Sequence, residues 1–202
     1  MITIVDYGLG NIQAFANIYK RLNIACQVAR SSKELSGADK IILPGVGAFD
    51  WAIQRLNQSG MRPMLDELVL KQHRPILGVC VGMQMMANRS DEGILPGLSW
   101  IDAEVNRFDE SLIKQKTHLP HMGWNDVVMT STNLFKGLVS PRFYFLHSYY
   151  VAVKDPILTI GTTNYNGLFT SAIANGHIFG VQFHPEKSHE WGIELLNNFA
   201  NL

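Results

Sequence analysis

The first half of the chain alternates short runs of β-branched and apolar residues with segments of helical periodicity. The apolar runs predict strands at residues 2–5, 24–28, 40–43 and 76–79. Helical segments are predicted at residues 12–22, 48–57, 63–72 and 81–88. Strands that alternate with helices at this spacing are joined by crossovers, which favours a mainly parallel sheet covered on both faces.

The second half has a different pattern, in which aromatic and β-branched runs are separated by Gly, Asn and Pro. These runs predict strands at residues 143–146, 149–153, 157–162, 169–174 and 178–183. Short separators favour an antiparallel portion, and a closing helix is predicted at residues 189–200. The predicted fold is therefore α/β, a central mainly parallel sheet flanked by helices with an antiparallel β portion in the C-terminal half. A length of 202 residues predicts a single domain, residues 1–202.

Composition and charge exclude several classes of function. Lys and Arg number 17 together, as do Asp and Glu, so the basic excess typical of nucleic-acid binders is missing. No apolar stretch approaches the ~18 residues of a membrane span, and the N-terminus has no basic segment typical of a signal peptide. With only two cysteines, a disulfide scaffold is not expected. We expect a soluble, cytoplasmic protein without a nucleic-acid or membrane partner.

Cys80 is the first candidate catalytic residue. It follows the apolar run at 76–79 in the pattern Gly-x-Cys-x-Gly, with Gly78 and Gly82 on either side. Similarly placed glycines permit the sharp strand-to-helix turn of a nucleophile elbow, and the N-terminus of the next helix stabilises a thiolate. The alternative is a small buried side chain, which is the commoner role of a lone cysteine. Cys26 has no such glycines and is predicted to be structural.

A thiolate nucleophile needs a base and a group that orients the base. His184 and Glu186 provide such a pair, because side chains two apart in extended backbone project on the same side. Glu186 is predicted to accept a hydrogen bond from one imidazole nitrogen, which leaves the other for Cys80. A surface turn with incidental polar residues explains the same spacing equally well.

The turn Pro44-Gly45-Val46-Gly47 closes the third predicted strand. A glycine-bracketed turn can expose backbone N–H groups, as an oxyanion hole requires. The predicted donors are Val46, Gly47 and, directly after the nucleophile, Val81. The alternative is an ordinary turn that ends a strand.

Cofactor and metal signatures are not met. Gly8-Leu9-Gly10 follows a strand, but Gln13 replaces the last glycine of the dinucleotide fingerprint. His118 and His121 are separated by Pro120, which disfavours a helical metal-binding face, and no cysteine pair joins them. We therefore predict no cofactor and no metal.

Several separate blocks of sequence together resemble class I (triad-type) glutamine amidotransferases. Residues 44–49, 77–84 and 182–188 carry this resemblance and occur in the family's order. Two further blocks, Pro120-His121-Met122-Gly123-Trp124-Asn125 and Phe145-Leu146-His147-Ser148-Tyr149, resemble the glutaminase subunit of imidazole glycerol phosphate synthase. The likeness spans nearly the whole chain.

The resemblance implies that glutamine is hydrolysed to glutamate and ammonia through a thioester on Cys80, with His184 as general base and acid and Glu186 holding the imidazole. It implies a heterodimer in which ammonia passes to a (β/α)8-barrel cyclase in histidine biosynthesis, and a weak glutaminase when the chain is alone. Residues of the implied glutamine pocket are Gly47, Gln84, Glu92, His147, Ser148 and Tyr149. Residues implied at the partner surface are Asn11, Met122, Trp124 and Lys187.

Three alternatives stay open. Residues 142–145, 149–151 and 188–192 also resemble a paralogous branch that supplies ammonia for amidation of a surface-polysaccharide sugar. A catalytically silent binding subunit is the second alternative, against which the intact Cys80, His184 and Glu186 argue. A cysteine peptidase on a similar scaffold is the third, against which the implied glutamine pocket argues.

Overall fold

A computed structural model describes residues 1–113, 119–130 and 132–202 of the chain. His118, considered above as a metal ligand, lies outside the described residues. Within these ranges no helix combines the length and the apolar character that crossing a bilayer requires.

Four parallel strands from the first half form one side of the main sheet. They are β1 (Ile2–Val5), β2 (Cys26–Ala29), β3 (Lys40–Gly45) and β4 (Ile76–Cys80). Their order in the sheet is β2-β1-β3-β4, with every neighbouring pair parallel. β1, β3 and β4 are buried almost throughout, which explains their continuous apolar runs.

The second half continues the same sheet and changes its direction. The remaining strands are β5 (Arg89–Ser90), β6 (Ala103–Arg107), β7 (His121–Asp126), β8 (Val128–Met129), β9 (Arg142–His147), β10 (Tyr149–Val153), β11 (Thr159–Asn164), β12 (Leu168–Asn175) and β13 (Ile178–Val181). β13 lies parallel to β4, whereas β12, β10 and β6 follow as antiparallel neighbours. β7 and β9 form a separate antiparallel ribbon. The predicted fold class is confirmed.

The helices cover the faces of the parallel strands. They are α1 (Ile12–Arg21), α2 (Ser32–Leu35), α3 (Phe49–Gln58), α4 (Arg62–Asp66), α5 (Val81–Gln84) and α6 (His189–Ala200). α4 continues as a π-helical turn, Glu67–Lys71. The amphipathic α1 buries Phe15 and Tyr19, and the Tyr19 hydroxyl donates to the Leu196 carbonyl oxygen of α6. This packing closes the core over the parallel strands.

Several details differ from the sequence prediction. The helix expected at 81–88 ends at Gln84, because the chain turns back there to form β5 and pair with β6. The run predicted at 157–162 begins instead with a 3₁₀ turn, Pro156–Leu158. Short strands such as β6 and β7 are not predicted, since neither has the continuous apolar run typical of a buried strand.

Candidate active site

Cys80 lies at the junction of β4 and α5, with backbone angles of φ 56° and ψ −115°. A side chain in this left-handed region is strained, and such strain is typical of residues that a fold must present at a site. Close packing holds the junction in place. A Cβ on Gly82 would lie 1.9 Å from the Leu43 carbonyl oxygen, and one on Gly45 would lie 2.4 Å from the Gly82 nitrogen. Only glycine permits this approach, so the predicted elbow is confirmed as a local structure.

His184 and Glu186 lie beside this elbow. The Nδ1 atom of His184 is 2.9 Å from Glu186 Oε1, and both side chains are almost fully buried. Burial alone would lower the pKa of His184, but Cys80 and Glu186 outweigh it and raise that pKa to about 10. The imidazole therefore lies between the Glu186 carboxylate on one side and the Cys80 thiol on the other, and both favour its protonated form.

The local backbone differs from the extended segment predicted for this pair. Pro185–Lys187 is a 3₁₀ turn, and its first position accommodates a proline without loss of a hydrogen bond. The turn is fixed to β9, because the His184 N–H donates to the Tyr144 carbonyl oxygen at 2.8 Å. Glu186 thus reaches His184 by a tight turn.

A cavity of about 280 Å³ opens beside Cys80 and His184. At about 30 Å³ per water, it has room for one small polar metabolite. Most of the predicted site residues line it together. They are Val46, Gly47, Cys80, Val81, Gln84, Glu92, His147, Ser148, Tyr149, His184 and Lys187, joined by Pro120 and Leu146, which were not predicted.

One wall of the cavity is built on the carbonyl oxygen of Tyr149. This oxygen accepts from His147 Nδ1 at 2.7 Å and from Gln84 Nε2 at 3.2 Å. Since a carbonyl only accepts, Nδ1 of His147 carries the proton and its Nε2 accepts from His121 Nδ1, 2.9 Å away. Burial lowers the pKa of His121 to about 4 and, with His121 adjacent, that of His147 to about 3. Both rings are therefore neutral, and His147 has no ring nitrogen left for a ligand.

The carboxylate of Glu92 forms another part of the cavity lining. Its Oε2 accepts from the Phe49 N–H at 2.8 Å, at the start of α3. Burial and the nearby charge of Asp50 raise the pKa of Glu92, although the Phe49 hydrogen bond opposes them. A partly buried carboxylate at a cavity wall is suited to a cationic group of a ligand.

Comparison with known proteins places this chain in a family. The family model described as glutamine amidotransferase class-I matches residues 3–201. The chain belongs to the class I glutamine amidotransferases. It is 57% identical to the imidazole glycerol phosphate synthase subunit HisH of Bdellovibrio bacteriovorus, over 100% of both chains. It is 48% identical to the protein of the same name from Leptospira borgpetersenii, again over 100% of both.

Solved structures agree on the fold of this amidotransferase. A glutamine amidotransferase from Thermotoga maritima superposes with a TM-score of 0.63 at 19% identity, covering 92% of this chain and 75% of that one. PurLQS from the same organism gives a TM-score of 0.73 at 16% identity, covering 99% and 97%. At these identities the likeness concerns the fold alone.

The predicted oxyanion turn of this amidotransferase lies directly beside the nucleophile. Gly45 pairs with Cys80 in the β3–β4 register, so Val46 and Gly47 follow at the mouth of the cavity. Gly47 has a φ of 85°, and nothing lies within 4 Å of the position its Cβ would occupy. The first half of the turn is therefore closely packed, whereas Gly47 is set by its backbone conformation alone. Val81 begins α5 on the other side.

Of the four predicted partner-surface residues, Lys187 lines the cavity, while Met122 and Trp124 lie on β7, where Met122 pairs with the lining residue Leu146. Met122 and Trp124 are exposed on β7, at 61% and 38% of their area, and β9 pairs with β7. The Lys187 ammonium lies 5.7 Å from the ring centroid of Tyr144, which also contacts Trp124. Asn11 is exposed at the start of α1, and its neighbour Gly10 packs against Pro44.

Some residues around this site are not singled out by the sequence. Gln182 is fully buried against Cys80, and His121 supports His147. His189 stacks on Trp124 with ring centroids 5.2 Å apart, and Trp191 meets the same ring edge-on. Gln182 precedes His184 by two positions, so alternation along an extended segment could have indicated it. The described residues contain no group of three or more His, Cys, Asp or Glu side chains that could hold a metal ion.

Proposed function

We propose that this chain is the glutaminase subunit of an imidazole glycerol phosphate synthase and hydrolyses L-glutamine in the cytoplasm. The observation that carries the proposal is the position of His184, which is bonded through Nδ1 to Glu186 and directed at Cys80 beside an open cavity. Full-length identity of 57% to a relative named as this subunit supports the assignment. The whole of residues 1–202 would then form one amidotransferase domain.

The chemistry follows from the geometry of the proposed triad. The Cys80 sulfur attacks the side-chain amide carbon of glutamine, and His184 receives the thiol proton. Backbone N–H groups of Val81 and of the turn at Val46 and Gly47 are the proposed donors to the resulting oxyanion. His184 then protonates the leaving nitrogen, which departs as ammonia and leaves a thioester.

Hydrolysis of the thioester completes the cycle. His184 takes a proton from water, the hydroxide attacks the thioester carbon, and the sulfur leaves as glutamate forms. Glu186 stabilises the imidazolium in both halves of the reaction, because its Oε1 stays bonded to Nδ1. Its second oxygen is buried and has no hydrogen-bond partner among the described residues, so the carboxylate is committed to this one contact.

The cavity walls suggest how glutamine is oriented. The Glu92 carboxylate matches the α-ammonium group of the substrate in charge. The amide N–H groups of Gln84 donate to Gln182 and Tyr149, so the group that remains available to the substrate is its acceptor Oε1. Ser148, Tyr149 and Gly47 complete the proposed pocket, and His147 contributes its backbone or its ring edge.

The exposed residues at the cavity rim are the proposed surface for a (β/α)8-barrel cyclase that consumes the ammonia. Met122 and Trp124 carry exposed apolar area on β7, and Lys187 adds one positive charge at the cavity. Asn11 follows Gly10, which packs against Pro44 of the oxyanion turn. A partner bound there would close the cavity to solvent. We therefore propose that the isolated chain hydrolyses glutamine slowly.

The test is glutamate release by the purified chain, alone and with the barrel subunit encoded nearest to it, with and without the histidine-pathway ribonucleotide. Strong activation by partner and nucleotide together supports the proposal. Activation by the partner that ignores the nucleotide would instead assign the chain to the sugar-amidation branch. Cys80→Ala should abolish hydrolysis and keep partner binding; hydrolysis by that variant would refute the triad.

The partner surface can be tested separately by binding. Met122→Ala should weaken the complex at least ~10-fold, since central apolar anchors dominate binding energy. Ile157→Ala is the matched control, because Ile157 is 79% exposed and precedes β11 at the end of the sheet away from Cys80. Equal effects of the two substitutions would contradict the proposed surface.

A further inference from the structure

Gln182 is a fully buried polar residue in direct contact with the nucleophile. It follows β13, and its N–H donates to the Ser171 carbonyl oxygen at 2.9 Å, which fixes its backbone to β12. Its side-chain Nε2 lies 3.7 Å from Cys80 Sγ, a hydrogen-bond distance for sulfur. Burying an amide costs free energy unless it is hydrogen-bonded, so the contact between the Gln182 amide and the Cys80 sulfur needs a physical explanation.

The orientation of this amide is determined by its neighbours. Gln84 Nε2 donates to the Tyr149 carbonyl oxygen at 3.2 Å and to Gln182 Oε1 at 2.9 Å. Because the Tyr149 oxygen only accepts, the Gln84 amide cannot be reversed. A reversed Gln182 would in turn oppose two N–H donors and leave both without acceptors. The N–H of Gln182 therefore always faces the sulfur.

We infer that Gln182 is a positioning residue for the amide hydrolysis, one that donates a hydrogen bond to the Cys80 sulfur and stabilises its thiolate in the attacking orientation. The inference rests on the proposed function for its consequence, but its geometry concerns the thiol alone. His184 takes the proton, and Gln182 steadies the charge that remains on sulfur. A hydrogen bond to an ionised acceptor is about twice as strong as a neutral one.

A second polar group near the sulfur acts in the opposite direction. The carbonyl oxygen of Leu146 is 4.0 Å from Sγ and can accept only from a protonated thiol. The sulfur therefore lies between a group that favours the thiolate and one that favours the thiol. Removal of the Gln182 donor shifts this balance toward the thiol.

The test measures the thiol without glutamine, using the rate of Cys80 alkylation by iodoacetamide as a function of pH. Cys26 is replaced by Ala in every protein, so that only one thiol reacts. Gln182→Met keeps the length of the side chain and removes the donor, whereas Gln182→Glu puts an anion beside the sulfur. We expect the pH midpoint of alkylation to rise in the order wild type, Met, Glu, with a ~3- to 10-fold slower reaction of Gln182→Met at pH 7.

The matched control is Ser171→Ala, which removes a buried hydroxyl bonded to Thr163 in the same layer of the sheet. It should leave the alkylation profile unchanged. A wild-type midpoint in both Gln182 variants, or an equal shift in the Ser171 variant, would overturn the inference. Gln182→Glu provides the decision if Gln182→Met does not fold, and vice versa.

Activity supplies an independent readout. With glutamine and the partner present, Gln182→Met should lower kcat at neutral pH by a similar ~3- to 10-fold, leave KM close to wild type, and recover as the pH is raised. Failure of all proteins to hydrolyse glutamine would refute the proposed function, while the alkylation result would still decide the role of Gln182.

Discussion

The strained backbone of Cys80 predicts that glycine stabilises the fold at this position more than alanine does. At φ 56° and ψ −115°, a Cβ is disfavoured by ~1–3 kcal/mol relative to no side chain. Part of this gain is lost, because glycine raises the conformational entropy of the unfolded chain and so favours unfolding by ~0.4–1 kcal/mol. Cys80→Gly should therefore be more stable than Cys80→Ala by about 1 kcal/mol.

Both variants lack the thiol, so their difference isolates the effect of the Cβ atom. In a domain of this size, about 1 kcal/mol corresponds to a difference in Tm of ~2–4 °C. Calorimetry or urea unfolding at neutral pH would measure it. The control is the neighbouring Val79, a buried residue in the interior of β4, where Val79→Gly should be less stable than Val79→Ala by ~0.5–1 kcal/mol.

The reasoning would be refuted by a Cys80→Ala variant that is as stable as Cys80→Gly, or by the same order of stability at both positions. The expected inversion at Cys80 would mean that the nucleophile is held at a cost to the fold.

Other substitutions test the same framework. Gly82→Ala should destabilise the protein by about 3 kcal/mol or more in urea unfolding, while Gly37→Ala, with nothing within 4 Å of the added Cβ, should be nearly neutral. Burial lowers the pKa of His121 from 6.5 to about 4, so the unfolded state binds its proton first as pH falls. Stability should drop between pH 6.5 and 4 by up to about 3 kcal/mol, less steeply in His121→Gln, and a flat profile would contradict the buried neutral ring. Glu186→Gln should lower kcat/KM for glutamine by ~10²–10⁴-fold with the cavity intact, because the imidazolium of His184 loses its counter-charge; near-normal turnover would remove Glu186 from the mechanism.

Most of the parallel half of the fold could be predicted from sequence because β1, β3 and β4 are buried almost throughout. The sequences of such strands are uninterrupted apolar runs, and the predicted bounds of β1 agree with those observed. β7 could not be recognised in this way, since its residues alternate between buried and exposed and include Gly and Asp. Its partner β9, rather than its own composition, makes it a strand.

The elbow and the His-Glu pair were accessible for a similar reason, since each is encoded by residues adjacent in sequence. The hydrogen bond from Gln182 to Cys80 joins residues 102 apart, and the bond from Gln84 to Gln182 joins residues 98 apart. Which side chains meet across such separations depends on the register of β13 beside β4, which no local pattern specifies.

The carbonyl oxygen of Tyr149 influences which groups in the site can take up a proton. Three imidazoles lie in or beside the site, those of His121, His147 and His184. The first two are fixed as neutral donors in a hydrogen-bonded line that ends at that oxygen. Asn125 Nδ2 donates to the remaining ring nitrogen of His121, so neither ring can accept a proton without losing a hydrogen bond. A proton leaving Cys80 therefore has a single destination, and one backbone oxygen on β10 keeps the other two rings from competing for it.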